Sequence, residues 1–154
     1  DNYFERIGRF TFGFYGELML SNQSLFNNYT SSMLFSPAFQ PIPESKTLFL
    51  PNYRAHNFGA AGLKTIFSFT RSLETRLEVY VFQPYKTIKE NPVDLTATYG
   101  EEFSYRSLMG SVSLVYNTPF GPFSLSYNYY DKTGEKFSLL FNFGYLIFNK
   151  SIIK

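Results

Sequence analysis

The sequence predicts an all-β fold, an antiparallel transmembrane β-barrel of which about six strands lie in this chain. Three observations carry that expectation. Apolar and polar residues alternate with period two over segments of about 10–12 residues, longer than the 5–6 typical of soluble strands. Aromatic residues make up 21% of the chain, from 19 Phe and 13 Tyr, while mean hydropathy is slightly negative at -0.16. The connections alternate between long and short, as extracellular loops and periplasmic turns do in outer-membrane barrels.

The first segment, Arg9–Leu20, sets Phe10, Phe12, Phe14, Gly16, Leu18 and Leu20 on one face against Arg9, Thr11, Gly13, Tyr15, Glu17 and Met19. The first set suits lipid and the second a wet interior, because successive strand residues point to opposite sides. A long connection rich in proline (Pro37, Pro41, Pro43, Pro51) follows. The second segment, Ala61–Thr70, puts Ala61, Leu63, Phe67 and Phe69 outward, interrupted by Thr65, against Gly62, Lys64, Ser68 and Thr70, with Ile66 as a misfit. After a tight turn at Arg71–Ser72, Leu73–Gln83 alternates Leu73, Leu77, Val79 and Val81 with Glu74, Arg76, Glu78 and Tyr80.

A second long connection, Pro84 to Arg106, leads to the fourth segment, where Leu108, Gly110, Val112, Leu114 and Tyr116 oppose Met109, Ser111, Ser113, Val115 and Asn117. The stiff turn Thr118-Pro-Phe-Gly-Pro122 joins it to the fifth. There Phe123, Leu125, Tyr127 and Tyr129 oppose Ser124, Ser126, Asn128 and Tyr130. A polar loop, Asp131–Lys136, precedes the sixth segment, Phe137–Phe148, which is apolar on its outward face from Phe137 to Ile147. Glu17, Lys64, Glu74, Arg76 and Glu78 all fall on the interior face. On the lipid face each charge would cost about 2–4 kcal/mol near the midplane.

Composition excludes other classes. No apolar run approaches the roughly 18 residues of a membrane helix. A net charge of +2 gives no footprint for nucleic acid, and the absence of Cys removes disulfide and thiolate chemistry. One histidine, His56, without Cys is a poor basis for a zinc site. No cofactor is expected. Neither a Gly-x-Ser-x-Gly nucleophile elbow nor an Asp-Gly pair occurs, so no active site is expected in this chain.

Six strands do not close readily, since single-chain barrels of this kind begin at eight. Either Ser31–Gln40 and Val93–Tyr99 supply two more, or strands N-terminal to Asp1 complete the wall. The second alternative is preferred, because those two stretches are polar or flanked by proline. The whole chain, 1–154, is then read as the C-terminal portion of one barrel domain in the bacterial outer membrane.

The run Ser111–Tyr127, with its Thr-Pro-Phe-Gly-Pro hairpin, resembles the penultimate hairpin of the Omp85 superfamily, the surface-antigen D15 or BamA-like barrels. The segment Phe137–Phe148 resembles that superfamily's closing strand. Within it Asn142, Gly144, Tyr145 and Ile147 are similar to the C-terminal signal read by the barrel assembly machinery. Phe26–Thr30, Lys46–Phe49, Tyr53–Phe58 and Arg76–Tyr85 resemble the barrel of bacterial patatin-like phospholipases. The resemblance implies a sixteen-stranded barrel of which these are the last six strands. Its function would be to anchor or translocate a lipid hydrolase whose catalytic domain precedes it.

The partners implied are outer-membrane lipid, the assembly machinery during insertion, and the remaining strands. Alternatives are an Omp85 insertase or translocase, a small eight-stranded structural barrel, and a soluble lipid-binding barrel. The superfamily's sixth loop enters the lumen with a Val-Arg-Gly-aromatic motif, of which only Arg54 is matched here. The acid expected on the wall is replaced by Gln83. Arg54 is therefore expected to pair inside the barrel with Glu74 or Glu78, since a buried guanidinium needs an acceptor.

Overall fold

The computed structural model describes residues 2–144, and they form an all-β, antiparallel fold. Six long strands lie where the alternation places them: β2 (Phe10–Met19), β3 (Phe58–Ser68), β4 (Leu73–Pro84), β7 (Ser107–Thr118), β8 (Gly121–Tyr130) and β9 (Phe137–Phe143). A two-residue β1 (Asn2–Tyr3) adds to β2, giving one seven-stranded sheet in the order β1-β2-β3-β4-β7-β8-β9. A separate hairpin, β5 (Lys86–Glu90) and β6 (Ala97–Glu102), stands in the second long connection.

Neither candidate extra strand joins the main sheet. Residues 31–40 hold most of a short helix, α1 (Tyr29–Phe35), whose Asn28 side chain accepts from the Ser31 amide at its N-terminus. Residues 93–99 lead into β6. Among the described residues no ladder joins β9 to β1 or β2, so the sheet is open and the expected closed cylinder is not formed by these strands alone.

Register keeps the two sequence faces intact across the sheet. One row runs Phe12, Thr65, Leu77, Val112, Tyr127, Leu139, each the pairing partner of the next. The next row runs Gly13, Lys64, Glu78, Ser111, Asn128, Ser138. A slip of one residue in any pair would exchange the sets, so the patterning and the register enforce each other.

All the long connections meet at one end of the sheet. There the 20–57 connection lies across one face, hereafter the covered face; the opposite face is bare. At the other end β7 and β8 turn through Pro119 and Phe120. The Thr118 hydroxyl donates to the Gly121 carbonyl at 2.6 Å, and Gly121 takes φ 126°, a conformation proline or a β-branched residue could not supply.

The core is the contact between the connection and the covered face. Phe39, Ile42, Tyr53 and Ala55 pack against Phe58, Tyr80, Phe82, Met109 and Tyr130, all of them buried. Phe39 stacks on Phe82 at 5.5 Å between centroids and meets Tyr80 edge-on at 6.1 Å. Gly62 makes this close packing possible, because the Tyr80 ring lies where a Gly62 Cβ would project. Gly62→Ala is therefore expected to push Tyr80 off Tyr15 and Phe39 and to destabilise the fold by about 1–3 kcal/mol. A chemical or thermal unfolding midpoint compared with wild type measures this, and an unchanged midpoint would contradict it.

Candidate functional site

The functional surface of this chain consists of two unlike faces and the connection that fills one of them. On the bare face the side chains are large, apolar and open: in the row named above Phe12 is 43% exposed, Leu77 47%, Val112 47%, Tyr127 50% and Leu139 67%. On the covered face the polar row is buried instead, with Lys64 at 8%, Ser111 at 5% and Asn128 at 0%. The distribution is the reverse of a half-buried soluble sheet, which keeps its apolar side in and its polar side out. The Lys64 ammonium sits among the rings of Tyr3, Tyr15 and Tyr80 at 5.8, 5.6 and 5.9 Å from their centroids.

The connection is fixed to the wall by one carboxylate. Proline at 41 and 43 leads into a 3-10 turn at Glu44–Lys46, which points Glu44 into the sheet. Glu44 Oε2 accepts from Asn128 Nδ2 at 2.6 Å, from the Tyr130 hydroxyl at 2.9 Å, and from the Ser138 hydroxyl. Asn128 also accepts from Ser111 at 2.7 Å, which extends the network to β7. A carboxylate with three donors around one oxygen is satisfied without a cation, and hydrogen bonds to a charged acceptor are the strong ones.

A second anchor is Tyr53, whose hydroxyl donates to the Leu108 carbonyl at 2.5 Å. Its backbone carbonyl accepts from the Phe39 amide at 2.8 Å, closing the connection on itself. At the turn end the covered face lacks this lid. Arg76 is exposed there and holds Glu74 through Nε at 2.9 Å and Nη2 at 2.5 Å.

Arg54 does not pair with Glu74 or Glu78, and that expectation is corrected. Its Nη1 donates to the carbonyls of Met33 at 3.4 Å, Leu34 at 3.1 Å and Ser36 at 2.9 Å, and its guanidinium lies 4.8 Å from the Phe49 centroid. The reason is α1, whose last carbonyls have no partner within the helix and draw the guanidinium to themselves. Glu78 accepts instead from the Tyr80 hydroxyl at 2.9 Å. Gln83, at the expected acidic position, donates to the Tyr105 carbonyl at 2.6 Å and accepts from Arg106 Nε at 3.0 Å.

The polarity of the loop-to-wall contact is thus inverted. The acid, Glu44, is on the connection and its neutral donors are on the wall. Of the residues expected to form a C-terminal assembly signal, Asn142 pairs with Ser124 on the covered side of β9, and Gly144 donates its amide to the Pro122 carbonyl at 3.0 Å with φ 104°. Tyr145 and Ile147 lie outside the described residues.

His56 is buried beside the loop-end hairpin, with Nδ1 2.7 Å from the Tyr99 hydroxyl. Burial holds its pKa below the ordinary value. With the folded value depressed, the unfolded chain binds more protons as pH falls below about 6.5, so acid weakens this end of the fold and neutral pH restores it. His56→Gln is expected to flatten the dependence of the unfolding midpoint between about pH 7 and about pH 5. An identical slope in both proteins would rule this out.

Among the described residues no group of three or more His, Asp or Glu is placed to hold a metal ion, and no helix is long and apolar enough to cross a membrane. Comparison of the chain with protein-family models, with curated proteins and with solved structures finds no match in any of the three.

Proposed function

We propose that this chain is part of the wall of a bacterial outer-membrane β-barrel, with the 20–57 connection acting as its plug. The observation that carries the reading is the bare face: a continuous field of Phe, Leu, Val and Tyr across six strands, backed by a buried polar row. Exposed apolar patches on soluble monomers rarely exceed a few hundred Å². Five of the six strand lengths agree, at 10 residues for β2, 11 for β3, 12 for β4 and β7, and 10 for β8, against the roughly 9–11 needed to cross a bilayer at a tilt, and β9 has seven among the described residues.

Two consequences follow for partners. Open edges at β9 and at β1 with the part of β2 that β1 leaves unpaired would leave amides and carbonyls unpaired in hydrocarbon at several kcal/mol each, so further strands complete the wall. The plug packs Phe39, Ile42 and Tyr53 where a conduit would run, which favours an anchor over an open pore. On the sequence resemblance, the anchored cargo is a patatin-type lipid hydrolase domain, and the barrel assembly machinery inserts the strands.

The test is made on the full-length protein in its own cells. It should stay with outer membranes through an alkaline carbonate wash, require detergent for release, and migrate faster in SDS before boiling than after. Recovery in the aqueous fraction without detergent would overturn the reading.

A further inference from the structure

We propose that the cavity between the plug and the β5 hairpin is a binding site for a phosphate-class oxyanion. The cavity measures about 200 Å³, room for more than one water at about 30 Å³ each. Arg54 and Asn52 from the plug, Thr87 and Lys89 from β5, and Tyr29 and Tyr105 supply its polar lining. No Asp or Glu is in that lining, while two cations are. The chemistry is therefore one-sided: the charged groups it offers are all donors.

Donors without acceptors make the argument specific. Arg54 Nε and Thr87 Oγ1 are buried and have no hydrogen-bond partner among the described residues, while the Tyr105 hydroxyl has the Ser107 hydroxyl beside it. A buried polar group left unbonded costs about 1–3 kcal/mol, more when charged. Two such groups on residues lining one cavity are therefore costly unless something in it accepts from them. Arg54 binds only neutral carbonyls through Nη1, and burial lowers its pKa, so its charge lacks the anionic partner a desolvated guanidinium needs. A tetrahedral oxyanion provides several acceptor oxygens and at least one negative charge, which matches a guanidinium, an ammonium and the Thr87 hydroxyl. The remaining wall, with Met33, Phe82 and Ile88, is apolar and strengthens any charge interaction inside.

The anion has two possible sources: free phosphate, and a phosphate on a lipid headgroup reaching the loop end of the barrel. Only the second depends on the membrane reading, so a site that binds free phosphate stands even if that reading fails. Purified full-length protein in detergent is titrated calorimetrically with inorganic phosphate at constant ionic strength. In a parallel arm it is titrated with micelles containing phosphatidic acid or, as control, diacylglycerol.

Saturable binding in either phosphate arm is expected, and the arm that binds identifies the source. Lys89→Gln should weaken it roughly tenfold, as the loss of one charge-assisted contact would, and Arg54→Gln by more. Lys86→Gln, on the same hairpin but outside the cavity, should leave it unchanged. Lys89 is exposed on its strand, so its variant tests the site even if Arg54→Gln fails to fold. The proposal is overturned if neither arm saturates, if diacylglycerol binds as well as phosphatidic acid, or if Lys89→Gln binds with wild-type affinity.

Discussion

Glu44→Ala is expected to release the 20–57 connection from the wall and to lower stability by about 3 kcal/mol. The substitution removes the carboxylate, and with it the one oxygen that accepts all three bonds, and leaves the Asn128 amide, the Tyr130 hydroxyl and the Ser138 hydroxyl facing a small void. Hydrogen bonds to an ionised group are worth about 1.5–3 kcal/mol each, and the sum is reduced because the three share one acceptor and are not additive. Regaining the desolvation cost of the carboxylate offsets part of the loss. Glu44→Gln keeps an acceptor oxygen but not the charge, so it should lie between wild type and alanine. Thermal unfolding midpoints in detergent, with the rate of proteolytic cleavage within residues 20–57, measure both effects. Cleavage as slow as in wild type, with an unshifted midpoint, would show that the aromatic packing alone holds the plug.

Leu77→Arg is the second large effect, and it acts on the opposite face. Leu77 stands in the middle of β4, flanked by Thr65 and Val112, with 47% of its surface open. In water a surface substitution of this kind is nearly neutral. In a bilayer it should cost about 2–4 kcal/mol at the midplane and reduce the amount of folded protein recovered from membranes. Its neighbour Arg76 carries its charge on the covered side, where it holds Glu74. Equal stability of Leu77→Arg and wild type in lipid bilayers would contradict the assignment of the bare face.

The two faces of every long strand were legible because a pleated strand has an integer period. Each of Phe12, Leu77, Val112 and Tyr127 stands on the side its neighbours in sequence require. The connections were less legible. Nothing in Asn28–Ser36 alternates, and α1 forms from one Asn cap and tertiary packing, below the length at which helices persist alone. That helix explains the misplaced Arg54, since its carbonyls compete for the guanidinium and are invisible to a reading by residue type.

Glu44 was missed because its role needs three residues from strands more than eighty positions away to converge on it. The only local trace was that Glu44, next to Pro43, is the one acid in the 20–57 connection. Asn128, alone among serines on the inward side of its strand, was the matching signal on the wall.

The claim on which the rest depends is that one side of the sheet dissolves in hydrocarbon. The chain contains no Cys, so single cysteines can be placed at each position of 108–116 in β7 and spin-labelled without a background. Collision rates with oxygen and with a water-soluble nickel chelate are then read in bilayers. Oxygen contact should peak at 108, 110, 112, 114 and 116 and nickel contact should be lowest at 112. Nickel contact at 112 equal to that of a water-exposed label, or the loss of the two-residue period, would contradict the membrane assignment.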